Sequence, residues 1–295
     1  MGDLDTYLGM EIHRDRANGI LSLNQAAYTR KILETHGFGD GALYKTPMDS
    51  KTVYTVNAEG QADEATVKDY QGMVGSLLYL AVYSRPDILY AVVKLSQFST
   101  NPSLIHLAAV KRIFRYLRSC PDLGITYSRD GGEQLVGYTD ANWGGGNVAE
   151  DGRRSTSAYI FTLGGGPISW SSKRQHTVAT SSCEAEYIGQ CNAAKEAVWL
   201  RLLLREVGYP LEGPTTVFAD NKSAIALASN PVYHGRSRHI DIQYHYTREK
   251  VNDDTIQLLY LPTLEMVADG LTKPLDQIKH NRFLGLLGLS GNRAP

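Results

Sequence analysis

Four acidic residues in this chain stand where one kind of local pattern gives way to another: Asp140 in GYTDANW, Glu186 in SSCEAEY, Asp220 in VFADNKS and Asp269 in MVADGLTKP. The apolar runs LVGY and TVF read as strands, and each leads into one of the aspartates. A third run, IQLLYL, is followed after a short turn by the segment that carries Asp269. Carboxylates at strand ends and on adjoining helices can converge in space while remaining far apart in sequence. A set of oxygen donors with no Cys or His beside them suits hard divalent ions such as magnesium or manganese. Two such ions can clamp the attacking and leaving oxygens of a phosphodiester. The chain has 31 Asp and Glu residues, so any one of the four taken alone reads first as an ordinary surface acid. Their common placement points to a metal site.

The elements that must position these acids can be read from the patterning. Residues 1–45 open with two strand-like runs, TYLGMEIHR and GILSLNQ, joined at Asn18-Gly19, and Asn-Gly between apolar runs is a strong hairpin signal. A helix-like stretch, QAAYTRKILETHG, follows. Residues 46–62 are polar and turn-rich. The region to about 120 is helical, with Val74, Leu77, Leu78 and Ala81 at helical spacing. Ser84-Arg85-Pro86-Asp87 and Asn101-Pro102-Ser103 read as helix starts. The second of these helices carries Lys111, Arg112, Arg115 and Arg118, either a solvated face or a stripe that follows phosphates.

From about residue 129 the pattern changes. QLVGYTDAN, STSAYIFTLGG and PISWSSKRQHTVA read as three successive strands. A long helix is expected from about Cys183 to Val207, ended by Gly208. Then come strand TTVFAD, a short helix through Ala224 to Ala228, a helix from about Ile240 to Val251, strand TIQLLYL and a short helix in LEMVADGLTK. This order describes an α/β fold, a five-stranded mixed sheet flanked by helices. The expected segments are 1–45, 46–128, 129–276, and 277–295 as a C-terminal helix and tail.

Composition narrows the class. The chain has 295 residues, is 42% hydrophobic and 21% charged, and has a net charge of −1, so nucleic acid would have to be held by local basic patches. Three cysteines, Cys120, Cys183 and Cys191, lack CxxC spacing. That argues for a reducing compartment and against zinc or a disulfide framework. No apolar run approaches the length needed to span a bilayer, and no membrane partner is expected.

The wording of the motifs is specific. GYTDANW, RRSTSAYIFTLGG, ISWSSKRQHTVATSS, EAEYIGQCNAAKEAVWLR, FADNKSAIALA, RHIDIQYHYTREKV and ADGLTKPL resemble the ribonuclease H domain of copia-type retrotransposon Pol polyproteins. YLGMEI, GILSLNQAAYTRKIL, GSLLYLAVYSRPDILYAVVKLSQF and HLAAVKRIFRYL resemble the end of the reverse transcriptase palm, the thumb and the connection. By that resemblance residues 1–45 are the palm end, 46–128 the thumb and connection, and 129–276 an RNase H-like domain. The implied activity is metal-dependent endonucleolytic hydrolysis of the RNA strand of an RNA–DNA hybrid. The implied cofactors are two magnesium or manganese ions held by Asp140, Glu186, Asp220 and Asp269. Asp140 would be shared by both ions, and Glu186 would lie near the ribose 2′-hydroxyl, the group that separates RNA from DNA. Implied partners are the hybrid and a full-length reverse transcriptase or Pol chain. The implied location is the cytoplasm, in a virus-like particle, and the nucleus.

Glu184 and Glu186 point about 200° apart on a helix, so both cannot face one metal centre. Counting from Thr180-Ser181-Ser182, Glu186 takes the family's glutamate place, and Glu184 suits the positive helix N-terminus. Lys173, Arg174 and His176, on the third strand, either contact phosphates or form a wet edge, and Arg153-Arg154 either contacts phosphate or turns the chain. Trp143 and Trp170 could stack on sugars or bases, with core packing the expectation for Trp170. Asn221 could bond the RNA strand or cap the next helix. Cys183 and Cys191 read as packing residues.

Cellular enzymes that this domain resembles often carry a His in the loop before the last catalytic Asp. Here that loop, Pro262 to Met266, has none, whereas His234, His239 and His245 precede the fifth strand; a structural role is expected for His239. No Tyr-x-Asp-Asp polymerase hairpin is present, so the chain alone is not expected to polymerise DNA, and it reads as a truncated Pol segment. Two other readings compete with the enzyme: a non-catalytic nucleic-acid-binding remnant, and a different nuclease or integrase built on the same sheet with three acids.

Overall fold

A computed structural model describes residues 4–58, 60–144, 153–229 and 238–291, with backbone alone for 238–244. The chain divides into two compact units. One comprises Met1–Gly131, Gly164–Gly166 and Lys273–Pro295, the other Gly132–Leu163 and Pro167–Thr272.

The first unit begins with strands β1 (Thr6–Tyr7), β2 (Met10–Asp15) and β3 (Ile20–Asn24). β2 and β3 form the expected antiparallel hairpin, closing at Asp15 opposite Ile20. The Asp15 carboxylate fixes the turn by accepting from the Asn18 backbone N–H at 3.0 Å and from the Asn18 amide at 2.6 Å. Helix α1 (Ala26–Thr35) follows. Helix α2 (Glu64–Tyr83) starts at Asp63, whose side chain accepts from Thr66 N–H, the usual service of an N-cap aspartate. Pro86–Ile88 is a single 3-10 turn that leads into α3 (Leu89–Ser96), and α4 (Leu104–Ser119) completes the helical part. Leu77, Leu80, Ile113, Phe114 and Leu117 are fully buried in the first unit. So is Arg85, which makes a bidentate pair with Asp87 at 2.9 Å for both contacts. Two of the basic residues on α4 are engaged within the chain. Arg112 lies over the Tyr44 ring and bonds Thr46, and Arg118 donates to the Gly41 carbonyl. Strand β4 (Gly124–Ser128), which the sequence pattern did not reveal, pairs antiparallel with β3.

The second unit has the expected α/β architecture, a five-stranded mixed sheet flanked by helices. Its strands are β5 (Val136–Asn142), β6 (Thr156–Leu163), β7 (Gly166–Arg174), β8 (Thr215–Ala219) and β9 (Ile256–Tyr260), in the order β7-β6-β5-β8-β9. β5 runs antiparallel to β6 and parallel to β8, and β8 runs parallel to β9. Between β7 and β8 lies helix α5 (Ser182–Glu206), and between β8 and β9 lie α6 (Lys222–Ser229) and α7 (Arg238–Asn252). α5 packs on β5 and β6. Gly189, Ala193 and Ala197 recur every four residues on its buried side, a row of small side chains that lets the helix axis come close to the sheet. Tyr187 and Phe161 fill the space beside them, and each contributes about 1.5–3 kcal/mol by leaving water. The helix stops at Gly208, whose φ of +85° only glycine adopts without strain.

Two expectations change. β7 ends at Arg174 rather than running on to Ala179, because Gln175 turns inward. Its amide donates to Ser157 Oγ and to the Ala185 carbonyl, and its backbone N–H donates to the Ser155 carbonyl. His176 therefore lies beyond the strand. The expected helix in LEMVADGLTK is instead two 3-10 turns, Thr263–Glu265 and Val267–Leu271, separated by the extended Met266.

The chain then returns to the first unit. Asp276 caps α8 (Gln277–Leu286), and β10 (Leu289–Ser290) pairs antiparallel with β4. This completes the sheet β1-β2-β3-β4-β10. His280 on α8 is buried, with its Nε2 2.9 Å from the Tyr116 hydroxyl.

Candidate metal and nucleic-acid site

Asp140 lies in β5 opposite Ala158 and is buried. Glu186 lies in the second turn of α5, and the start of that helix fixes its direction. Ser181 Oγ accepts from Glu184 N–H at 3.1 Å, while Glu184 Oε2 reaches back to the Thr180 N–H at 2.7 Å and to its hydroxyl at 2.6 Å. Glu184 thus closes a capping arrangement, and Glu186, two residues on, faces the sheet. Asp220 follows the last residue of β8 directly, before α6. Asn221 caps that helix by accepting from Ala224 N–H at 3.0 Å.

One carboxylate oxygen from each of Asp140, Glu186 and Asp220 lies within 4.8 Å of the other two. Two oxygens on one divalent ion are separated by at most twice the metal–oxygen distance, roughly 4–5 Å. The observed grouping is therefore already at the span of a shared cation. The donor set is oxygen only, as a hard ion requires. Each carboxylate also accepts at least one neutral hydrogen bond. Thr272 Oγ1 donates to Asp140 Oδ2 at 2.5 Å, Ala141 N–H to Glu186 Oε1 at 3.3 Å, and Thr263 Oγ1 to Asp220 Oδ2 at 2.7 Å.

Asp269, expected with the other three, is not in this group. It sits half-buried on the turn Val267–Leu271, and its main-chain carbonyl is 3.1 Å from the same Thr272 hydroxyl that reaches Asp140. Thr272 and Thr263 did not stand out in the sequence, because a hydroxyl's role here depends on a carboxylate far away along the chain. Their one signal is their place beside the Asp269 segment. Gly189 is the remaining local determinant. A Cβ there would stand 3.3 Å from Thr139 Oγ1 and 3.5 Å from the Asp140 carbonyl, so glycine is what lets α5 carry Glu186 up to β5. The nearby Cys183 thiol is pushed up by burial, and further by Glu186 and Glu184, which keeps it protonated and poorly nucleophilic.

The basic residues gather at one end of the sheet. Asn142 at the end of β5 pairs with Thr156 at the start of β6, and Gln175 N–H bonds the Ser155 carbonyl. Arg153 and Arg154 before β6, Lys173 and Arg174 at the end of β7, and His176 beyond it therefore neighbour the end of β5, and all five are exposed. Trp143, 52% exposed, is held there by its Nε1–H bond to the Ala179 carbonyl at 3.1 Å. Trp170 is half-buried within β7. Cys191 is buried, as expected of a packing residue. His234 lies outside the described residues, as does the side chain of His239.

No protein-family model matches the chain. Two curated relatives match nearly all of it. The retrovirus-related Pol polyprotein from transposon RE2 of Arabidopsis thaliana is 38% identical over 97% of this chain and 19% of the polyprotein. That from transposon TNT 1-94 of Nicotiana tabacum is 38% identical over 99% of this chain and 22% of the polyprotein. The chain thus spans about a fifth of the length of these relatives. Among solved structures, LC11-RNase H1 in complex with RNA/DNA hybrid aligns over 47% of this chain and 93% of its own, at 15% identity and a TM-score of 0.34. With near-complete coverage by such relatives, the chain belongs to the retrovirus-related Pol polyproteins of copia-type transposons.

Proposed function

We propose that the second unit is a metal-dependent ribonuclease H that cuts the RNA strand of an RNA–DNA hybrid. The observation that carries this reading is the convergence of Asp140, Glu186 and Asp220 to within 4.8 Å from three separate elements. Membership of the Pol family supports it. Asp140, Glu186 and Asp220 would hold magnesium or manganese ions, two in this reading, and Asp269, outside that group of three, is the fourth carboxylate proposed for the set. When bound, such ions lower the pKa of the attacking water and stabilise the leaving oxygen.

The protein's own residues do the rest. The carboxylates fix where charge is neutralised. Thr272, Ala141 N–H and Thr263 each donate to one of them and help to orient it. Arg153, Arg154, Lys173 and Arg174 offer charge to the phosphate backbone, His176 offers a ring N–H, and Trp143 offers an exposed ring to a sugar or base. Asn221 is engaged as a helix cap through its Oδ1, and its amide NH2 group is its remaining means of meeting nucleic acid. The partners in this reading are the hybrid and the remainder of a Pol chain, in a cytoplasmic particle and in the nucleus. Among the described residues no helix is long and apolar enough to cross a membrane.

The test is cleavage of a labelled RNA–DNA hybrid with magnesium or manganese, comparing wild type with Asp140→Asn. Metal-dependent cutting of the RNA strand that disappears in the variant is the expected result. Equal hybrid binding by both proteins with no cutting by either replaces the nuclease with a binding module.

A further inference from the structure

We propose that Thr272 is a positioning residue for Asp140, and that Thr263 serves Asp220 in the same way; the proposal rests on the metal-binding reading above. Both threonines belong to the segment that follows β9, the same segment that carries Asp269. That segment therefore supplies a hydroxyl to two of the three converging carboxylates.

The Thr272 side is the better built. Thr272 has no exposed surface, and its backbone N–H is tied to the Asp269 carbonyl at 3.2 Å, so its hydroxyl has a fixed origin. The hydroxyl has one proton and two acceptors within reach, Asp140 Oδ2 at 2.5 Å and the Asp269 carbonyl at 3.1 Å. The charged and nearer acceptor takes the proton, since O–H···O⁻ bonds are short and strong. An aspartate χ2 is otherwise a broad, roughly two-fold torsion. A donor held on Oδ2 fixes that torsion and with it the orientation in which the carboxylate meets a cation. Thr263 is exposed, so its bond to Asp220 competes with water and holds less tightly.

The experiment uses the full chain and three variants, Thr272→Val, Thr272→Ser and Thr263→Val. Manganese binding is followed by the electron paramagnetic resonance signal of the free ion, hybrid cleavage is followed against magnesium concentration, and thermal melts report folding. Partners that orient metal ligands typically change affinity by about 10–100-fold when removed. Thr272→Val is expected to weaken manganese binding by about that factor and to raise the magnesium needed for cleavage in parallel. Thr272→Ser is expected to restore both, and Thr263→Val to show the smaller shift. A Thr272→Val protein that melts earlier but binds manganese as wild type does overturns the proposal and leaves a merely structural threonine. Manganese binding by wild type without any hybrid cleavage fails the nuclease reading alone, and the affinity comparison still decides the role of Thr272. Absence of manganese binding by wild type overturns the metal reading and the positioning role together.

Discussion

Three carboxylates held within 4.8 Å of one another repel in the absence of a cation, and this makes Asp140→Asn a test of stability as well as of activity. At that separation each pair costs about 1 kcal/mol in a water-like dielectric and about 3.5 kcal/mol at an effective dielectric of 20. Asp140 takes part in two of the three pairs, so removing its charge relieves about 2 kcal/mol at the lower limit. The bond from Thr272 changes from charge-assisted to neutral, a loss of about 1 kcal/mol. The net gain is about 1 kcal/mol, or about 2–4 °C in melting temperature for a unit of this size. In EDTA at neutral pH the variant should melt above wild type. With magnesium at about a hundred times its dissociation constant, wild type should gain about 2.7 kcal/mol by mass action. The variant should gain far less, so the order inverts. Scanning calorimetry in the two buffers reads both signs. A variant that melts below wild type in EDTA would refute the reasoning that mutual repulsion outweighs the bonds Asp140 makes.

Other perturbations separate the roles of neighbouring residues. Glu186→Gln should abolish hybrid cleavage in a gel assay, whereas Glu184→Gln should keep it while lowering stability by about 1 kcal/mol, the usual cost of a weakened helix cap. Gly189→Ala gains about 1 kcal/mol of helix propensity and loses about 1–3 kcal/mol to crowding against Thr139 and Asp140. The balance is a loss of up to about 2 kcal/mol, so its melting temperature should stay level or fall, by about 2–4 °C per kcal/mol, while its manganese affinity falls. In the first unit, Tyr116 donates to Asp87 Oδ2 at 2.7 Å, and Tyr116→Phe should destabilise by about 2 kcal/mol in urea titrations, because a buried bond to a charged group is lost. Burial pushes the Asp87 carboxyl up, but the Arg85 guanidinium and the bonds from Arg85 and Tyr116 outweigh it and hold the group below the ordinary range. Its contribution is complete above the unfolded value of about 3.9 and is lost as pH falls through the depressed folded one. Circular dichroism between neutral and strongly acidic pH should accordingly show a shallower acid limb in Asp87→Asn than in wild type.

Much of the second unit was legible because its signals are local. Alternating apolar runs marked β5, β6 and β8, and Gly208 marked the end of α5. That Asp140, Glu186 and Asp220 could converge was legible from their places near the edges of elements, and the family resemblance chose Glu186 over Glu184. What escaped was decided by distant parts of the chain. β4 and β10 are five and two residues long, too short for a period to show, and each exists through pairing with another strand. Gln175 ends β7 through side-chain bonds to Ser157 and Ala185, which no repeat in the sequence reveals. The bond from Thr272 crosses 132 positions to reach Asp140. The four Lys and Arg residues of α4 looked like one stripe, yet Arg112 and Arg118 turn to the chain's own 41–46 segment.

The pairing of β10 with β4 bears on the order in which this polypeptide can mature on a ribosome. Most of the first unit precedes the second along the chain, but its sheet gains its last strand from Leu289–Ser290, and the buried contact between Tyr116 and His280 needs α8. Residues through Thr272, which complete the second unit, emerge earlier. Translation is slow compared with the microsecond-to-second folding of a small domain. The unit that begins first is therefore finished last, and a nascent chain stalled just after Thr272 would hold the whole second unit while the first sheet still lacked its last strand.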